Sequence, residues 1–219
     1  MHRKSPTLLI LFCLIAISVS VVEAQTSTND SGYVNHGTSW VPKDDLVRAI
    51  KDSDFAVAFH PGSAAAYYNR GVLLQARGEL NRALADYNKA IDIKPRYTSA
   101  YNNRAGILYS LGRVDEALAD LNHAIALNSK HAGAYTNRGV VRSAKGDFAG
   151  AREDHNKALR LNPKLPSAYY NRGMLELGRG ELNAALDDFG RAIELAPTLA
   201  VAYANRGNVE LFWASSKPL

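Results

Sequence analysis

The residues with chemistry to offer come in rows. Asn69, Asn103, Asn137, Asn171 and Asn205 each precede an arginine (Arg70, Arg104, Arg138, Arg172 and Arg206), and successive pairs stand 34 residues apart. An aspartate row keeps the same step at Asp52, Asp86, Asp120, Asp154 and Asp188. An amide offers a donor and an acceptor together, which suits the backbone of an extended peptide. A guanidinium forks onto a carboxylate through two parallel hydrogen bonds. Hydrolytic and phosphoryl chemistry has no comparable signature: there is no His-Glu-x-x-His, Gly-x-Ser-x-Gly or phosphate-binding glycine loop. His60, His123, His131 and His155 lack ligand spacing, and the single cysteine, Cys13, excludes a disulfide-stapled domain or a Cys-rich zinc site. The reading is a non-enzyme with no metal and no cofactor.

Two pairings of the charged rows are open. Within units, Asp52 would face His36 and Arg206 would have no partner. Pairing each aspartate with the next unit's arginine uses all ten: Asp52–Arg70, Asp86–Arg104, Asp120–Arg138, Asp154–Arg172 and Asp188–Arg206. That economy predicts an inter-repeat ion-pair ladder fixing the stacking register. The functional alternative is an arginine row that binds an acidic ligand.

The elements that must hold these rows are short helices. A Tyr-x-Asn-Arg-Gly phrase starts at Tyr67, Tyr101, Tyr135, Tyr169 and Tyr203, with Ala105 replacing glycine once. Glycines follow at Gly78, Gly112, Gly146 and Gly180, then alanine pairs such as Ala83 and Ala90. This predicts a first helix over 64–76, a turn at a left-handed glycine, and a second helix over 80–93 with Leu84, Tyr87 and Ile91 on its core face. Small residues let the two axes approach, and Pro95, Pro163 and Pro197 close units. One hairpin cannot bury its own apolar face, so neighbours must stack.

In all, 219 residues with 47% hydrophobic and 21% charged suit a globular array, not a disordered or multi-span membrane chain. The net charge of +5 is spread among acids, which speaks against nucleic-acid binding. The positive start His2-Arg3-Lys4, the apolar run from Leu8 and the small residues Val22 and Ala24 form a secretory signal over 1–24, cut before Gln25. Export, periplasmic or secreted, is therefore expected, with no membrane span after cleavage. Retention of the signal as an anchor is the alternative, and Asn29-Asp30-Ser31 would accept a glycan in a eukaryotic pathway.

These repeats resemble the tetratricopeptide repeat family, on the slots Tyr67, Gly71, Ala83, Tyr87, Ala90 and Pro95. The resemblance covers four units, 61–94, 95–128, 129–162 and 163–196, and a partial fifth over 197–219. Before them, 25–42 reads as a polar leader and 43–60 as a worn repeat or capping helix. The resemblance implies an all-α, right-handed α-solenoid of antiparallel helix pairs, with first helices lining a concave face that binds a protein or extended peptide. The asparagine row looks like the backbone-gripping ladder in the O-linked N-acetylglucosamine transferase family. Its bland counterpart is asparagine bonding within the helix pairs. Tyr68, Tyr109 and Tyr170 are expected on the same face as flat contact area. The lysine of the co-chaperone carboxylate clamp is missing, which speaks against that use. Arg142, Glu176 and His155 are expected to cluster between units three and four, as an ion pair with a histidine neighbour. The expected function is a non-catalytic scaffold or adaptor. The alternatives are a docking or regulatory subunit of an enzyme on another chain, and a structural protein that self-associates through its apolar C-terminal end.

Overall fold

A computed structural model describes residues 33–36 and 39–216, with side chains from 45 to 213. The signal over 1–24, its cleavage site, Asn29 and the start of the leader lie outside the described residues. A two-stranded antiparallel hairpin, β1 (Tyr33–His36) and β2 (Ser39–Pro42), occupies the end of the expected leader, with Val34 opposite Val41. Ten helices follow among the described residues: α1 (Lys43–Phe59), α2 (Ala64–Ala76), α3 (Leu80–Ile93), α4 (Thr98–Ser110), α5 (Val114–Leu127), α6 (Ala132–Ala144), α7 (Phe148–Leu161), α8 (Pro166–Gly178), α9 (Leu182–Leu195) and α10 (Ala200–Ser216). The expected bounds of the first helix pair are those of α2 and α3.

Each pair α2/α3, α4/α5, α6/α7 and α8/α9 is a tight hairpin, and each second helix packs on the next first helix. Consecutive first helices also touch, whereas consecutive second helices barely do, so the first helices line the inner face. The chain is a right-handed α-solenoid of antiparallel helix pairs. Gly78, Gly112, Gly146 and Gly180 all turn with φ between 75° and 84°, which L side chains rarely adopt. Counting on by 34 gives Ala214, and there α10 runs straight through.

Packing inside a hairpin follows a size rule. Ala83, Ala117, Ala151 and Ala185, with Ala90, Ala124, Ala158 and Ala192, are fully buried where the axes approach. Opposite them a glycine on the first helix receives a ring: Gly71 meets Tyr87, Gly139 meets His155 and Gly173 meets Phe189, each within 3.0 Å of where a Cβ would stand. In the second repeat Ala105 packs in one cluster with the smaller Leu121. Gly173→Ala is therefore expected to destabilise by about 1–3 kcal/mol through overpacking. Adding Phe189→Leu recreates the Ala105–Leu121 arrangement. The double variant should unfold at higher denaturant than Gly173→Ala alone, with a coupling of about 1 kcal/mol; strict additivity would refute the size rule.

Candidate protein-binding groove

The arginine row is built at the hairpin's closest approach, and its pairing is within units. Nε and Nη2 of Arg70 fork onto Asp86 at 2.8 and 2.7 Å, and those of Arg104 onto Asp120 at 2.7 and 2.7 Å. Arg138 binds Asp154 at 2.9 and 2.7 Å, and Arg172 binds Asp188 at 2.7 and 2.7 Å. These bonds hold each of the four guanidiniums above its usual pKa. Each guanidinium also lies over the tyrosine three residues earlier, 5.3 to 5.8 Å from the ring centre.

The expected pairs Asp52–Arg70, Asp86–Arg104, Asp120–Arg138, Asp154–Arg172 and Asp188–Arg206 are thus corrected. The physical reason is that a hairpin brings its own two helices closer than it brings its neighbour. The link between repeats comes instead from the third nitrogen. Nη1 reaches back to Asp54 (3.0 Å) from Arg70, Asn88 (2.8 Å) from Arg104, Asn122 (2.9 Å) from Arg138 and Asn156 (2.7 Å) from Arg172. The recurrence of Asn88, Asn122 and Asn156 at the 34-residue step was the signal for this second partner. Asp52 stays exposed, outside the ladder, and among the described residues Arg206 stands 3.6 Å from Glu210 while lying over Tyr203. The row from Arg70 to Arg172 thus forms a spine in which each guanidinium bonds the aspartate of its own repeat and an Asn or Asp of the preceding element.

On the inner face the asparagines are knitted to the preceding repeat. Asn137 Nδ2 donates to Asn102 Oδ1 (3.0 Å), Asn102 Nδ2 to Asn103 Oδ1 (3.1 Å), and Asn103 Nδ2 to the hydroxyls of Tyr68 (3.2 Å) and, at the limit of range, Tyr87 (3.5 Å). Tyr87 completes the chain by donating to Gln75 (2.8 Å), and burial pushes its phenol well above the usual pKa. Asn205 donates to Tyr170 (3.0 Å) in the same register. Asn69 is exposed and Asn171 half-buried.

Between α4 and α6 this amide chain borders a hollow lined by Gln75, Asn102, Asn103, Tyr109, Ser110 and Asn137, with Leu121, Val140 and Val141 beneath. Tyr109 is half-buried there. Tyr68 is half-buried among Tyr87 and Tyr97, with ring centres 5.8 and 4.9 Å away. Tyr170 departs from expectation: it is only 5% exposed, because it packs on Phe189 in one cluster with Met174 and with Ala202 and Val209 of α10. Gln75 and Asn102 belong to the amide chain and were missed because neither slot repeats as an amide.

The expected Arg142–Glu176–His155 cluster is also rearranged. Arg142 Nη1 reaches Asp154 (3.0 Å) and the Gly150 carbonyl (3.2 Å), both in its own repeat. Glu176 is 2% exposed and takes Arg152 Nε at 2.9 Å and, more distantly, Arg179 at 3.8 Å; burial raises its carboxyl pKa. His155 lies on Gly139, 1% exposed, its Nδ1 without a hydrogen-bond partner. Burial, with the nearby Arg172 charge, holds its pKa down to about 4. Among the described residues no His, Cys, Asp or Glu cluster could hold a metal, and no helix is long and apolar enough to cross a membrane.

A stack of helix hairpins with a polar inner groove and a buried charged spine defines the class: a helical-repeat scaffold for protein interaction. Two family profiles match it, "Tetratricopeptide repeat" over residues 64–97 and 166–199 and "TPR repeat" over 105–146 and 141–178. Together they cover more than half of the sequence, and the chain belongs to the tetratricopeptide repeat family. No curated protein matches it by sequence. Among solved structures it is similar to a thermophilic tetratricopeptide repeat protein from Thermus thermophilus (22% identity, 77% of this chain and 92% of that one, TM-score 0.68). It is also similar to a repeat protein from Parabacteroides merdae (24%, 94% and 74%, TM-score 0.61). A third, YrrB, is described as having an unusual peptide-binding site (19%, 94% and 94%, TM-score 0.55). At these identities the likeness is one of fold.

Proposed function

We propose that the chain is a non-catalytic adaptor, working in an exported compartment, that grips an extended segment of a protein partner along its inner groove. The amide chain from Asn137 to Gln75 beside the hollow is the observation that carries this reading. Those amides are already oriented by one another, so a bound backbone meets fixed donors and acceptors and little entropy is lost on binding. Tyr109 adds a rigid apolar wall. The likeness to YrrB, whose description names a peptide-binding site, supports the same use of the fold.

The test is capture. Proteins retained by the immobilised chain from an extract of the exported fraction, identified by mass spectrometry, should be lost at least about tenfold on Asn103→Ala plus Asn137→Ala. Tyr109→Ala, which touches no bond of the spine, should weaken the same capture. Undiminished capture by both variants would overturn the groove reading. The intact mass of the chain recovered from its host should begin at Gln25, and recovery from the cytosol with residues 1–24 attached would overturn export.

A further inference from the structure

The two edges of the solenoid differ in how their charges are used. Antiparallel hairpins put the glycine turns along one edge and the junctions between repeats along the other. On the turn edge charges stand in pairs. Arg77 and Arg82 share Glu79, Arg113 takes Glu116, and Arg179 takes Glu181 at 2.9 Å. Even the lysine of the third turn, Lys145, reaches across to Asp115 of the second.

The junction edge is the reverse. Arg96, Lys130 and Lys164 recur there at the 34-residue step, each two residues before a first helix, α4, α6 or α8. All three are exposed, as are Lys94 and Arg160 beside them. Across the three junctions, residues 90–101, 124–135 and 158–169, Asp92 is the only carboxylate. Among the described residues no carboxylate pairs with Arg96, Lys130, Arg160 or Lys164, while Lys94 lies over Tyr97, 4.8 Å from the ring centre. The groove beside this edge adds no free charge. Outside the spine arginines, α2, α4, α6 and α8 carry Arg142 and Glu176 alone, and both are paired.

We propose that the junction edge selects the charge of the segment held in the groove: the partner is an acidic stretch of protein, its backbone on the amide chain and its carboxylates on Arg96, Lys130 and Lys164. The inference rests on the groove reading and adds the partner's chemistry to it. Asn102 stands four residues into α4, about 6 Å from the start of that helix, so a backbone on the amide chain runs within side-chain reach of the edge. Consecutive first helices touch, which spaces the cations by about one helix diameter, ~10 Å. An extended chain puts every second side chain on one side, about 6.6 Å apart. Acids at alternate positions therefore lay a row of carboxylates against the row of cations. Unpaired cations along a neutral floor make a field that draws anions and weakens with salt. One cation per repeat favours carboxylates at strand spacing over the denser phosphates of a nucleic acid.

Fluorescence anisotropy of the whole chain with labelled peptides of about ten residues, alternating Asn-Glu, Asn-Ser or Asn-Lys, is the test. The Asn-Glu peptide should bind at least about fivefold tighter than Asn-Ser at about 0.05 M salt, lose most of that preference at about 0.5 M, and leave Asn-Lys the weakest. Arg96→Glu plus Lys130→Glu should reverse the order of Asn-Glu and Asn-Lys with an unchanged melting profile, since neither side chain has an ion pair to lose. Lys51→Glu plus Lys89→Glu, an equal change of net charge at exposed positions away from the edge, should keep the parent's order. Asn103→Ala plus Asn137→Ala should weaken Asn-Glu and Asn-Ser alike. Peptides that depend on those asparagines but show no preference for Asn-Glu would overturn the inference and leave the groove reading standing. Binding indifferent to the asparagines would overturn the groove reading and the joint site with it. Equal effects of the two charge-reversed pairs, or an oligothymidylate bound tighter than Asn-Glu, would also overturn the inference.

Discussion

Asp154→Asn is expected to destabilise the chain by about 3–5 kcal/mol, the range for removing one member of a buried ion pair. Asp154 is 3% exposed and receives three guanidinium nitrogens: two from Arg138, at 2.9 and 2.7 Å, and one from Arg142 at 3.0 Å. A neutral amide can accept one of these bonds but turns an N–H toward another, leaving two cations against an uncharged group. Salt will rescue little of the loss, because screening acts weakly on groups shielded from water. Asp120→Asn, where Arg104 alone is the partner, should lose less. Asp52→Asn, exposed and outside the spine, should stay within about 0.5 kcal/mol of the parent. Denaturant unfolding followed by circular dichroism reads all three. An Asp154→Asn midpoint equal to the parent's would show that the spine contributes nothing to stability.

What could be read from the residues was whatever repeats without exception. The 34-residue step, the glycine turns and the alanine slots fixed the hairpins and their bounds, because each is a local demand on backbone or axis separation. Partner choice was not local. From Arg70, Asp86 lies sixteen residues ahead and Asp52 eighteen behind, and spacing alone does not choose between them. Economy of partners chose wrongly because a count of charges does not see which helices stand closest, and the two helices of one hairpin do. The asparagine row shows the same limit. The amides of Asn103, Asn137 and Asn205 reach the slot one residue before the matching asparagine of the preceding repeat, and that slot holds Tyr68, Asn102 and Tyr170 in turn. A partner that changes chemistry from repeat to repeat leaves no periodic trace. Tyr170 was misplaced for a related reason: its ring packs on Phe189 in a cluster that Ala202 and Val209 of α10 complete, a packing consequence and not a pattern.

His155→Phe is expected to stabilise the chain and to remove most of its acid sensitivity above pH 4. The imidazole fills the slot that Tyr87 and Phe189 fill elsewhere, against a glycine, so a phenyl ring fits the same notch. In the folded chain its pKa is depressed to about 4, against about 6.5 when unfolded. Between these values the unfolded chain binds the proton and the folded chain does not, so stability is fully present above about pH 6.5 and falls as pH drops toward 4. That interval is worth about 3 kcal/mol. Glu176 acts in the opposite sense: its raised pKa favours the folded state at low pH, and this contribution fades as pH rises through that pKa. The histidine's acid loss should therefore show as a net decline only partly offset by Glu176. Substituting phenylalanine also removes the buried, unpartnered Nδ1. Unfolding at pH 7 and pH 5 decides the matter. The parent should lose stability between them while His155→Phe stays nearly flat or gains slightly, and equal slopes for the two chains would place the acid sensitivity elsewhere.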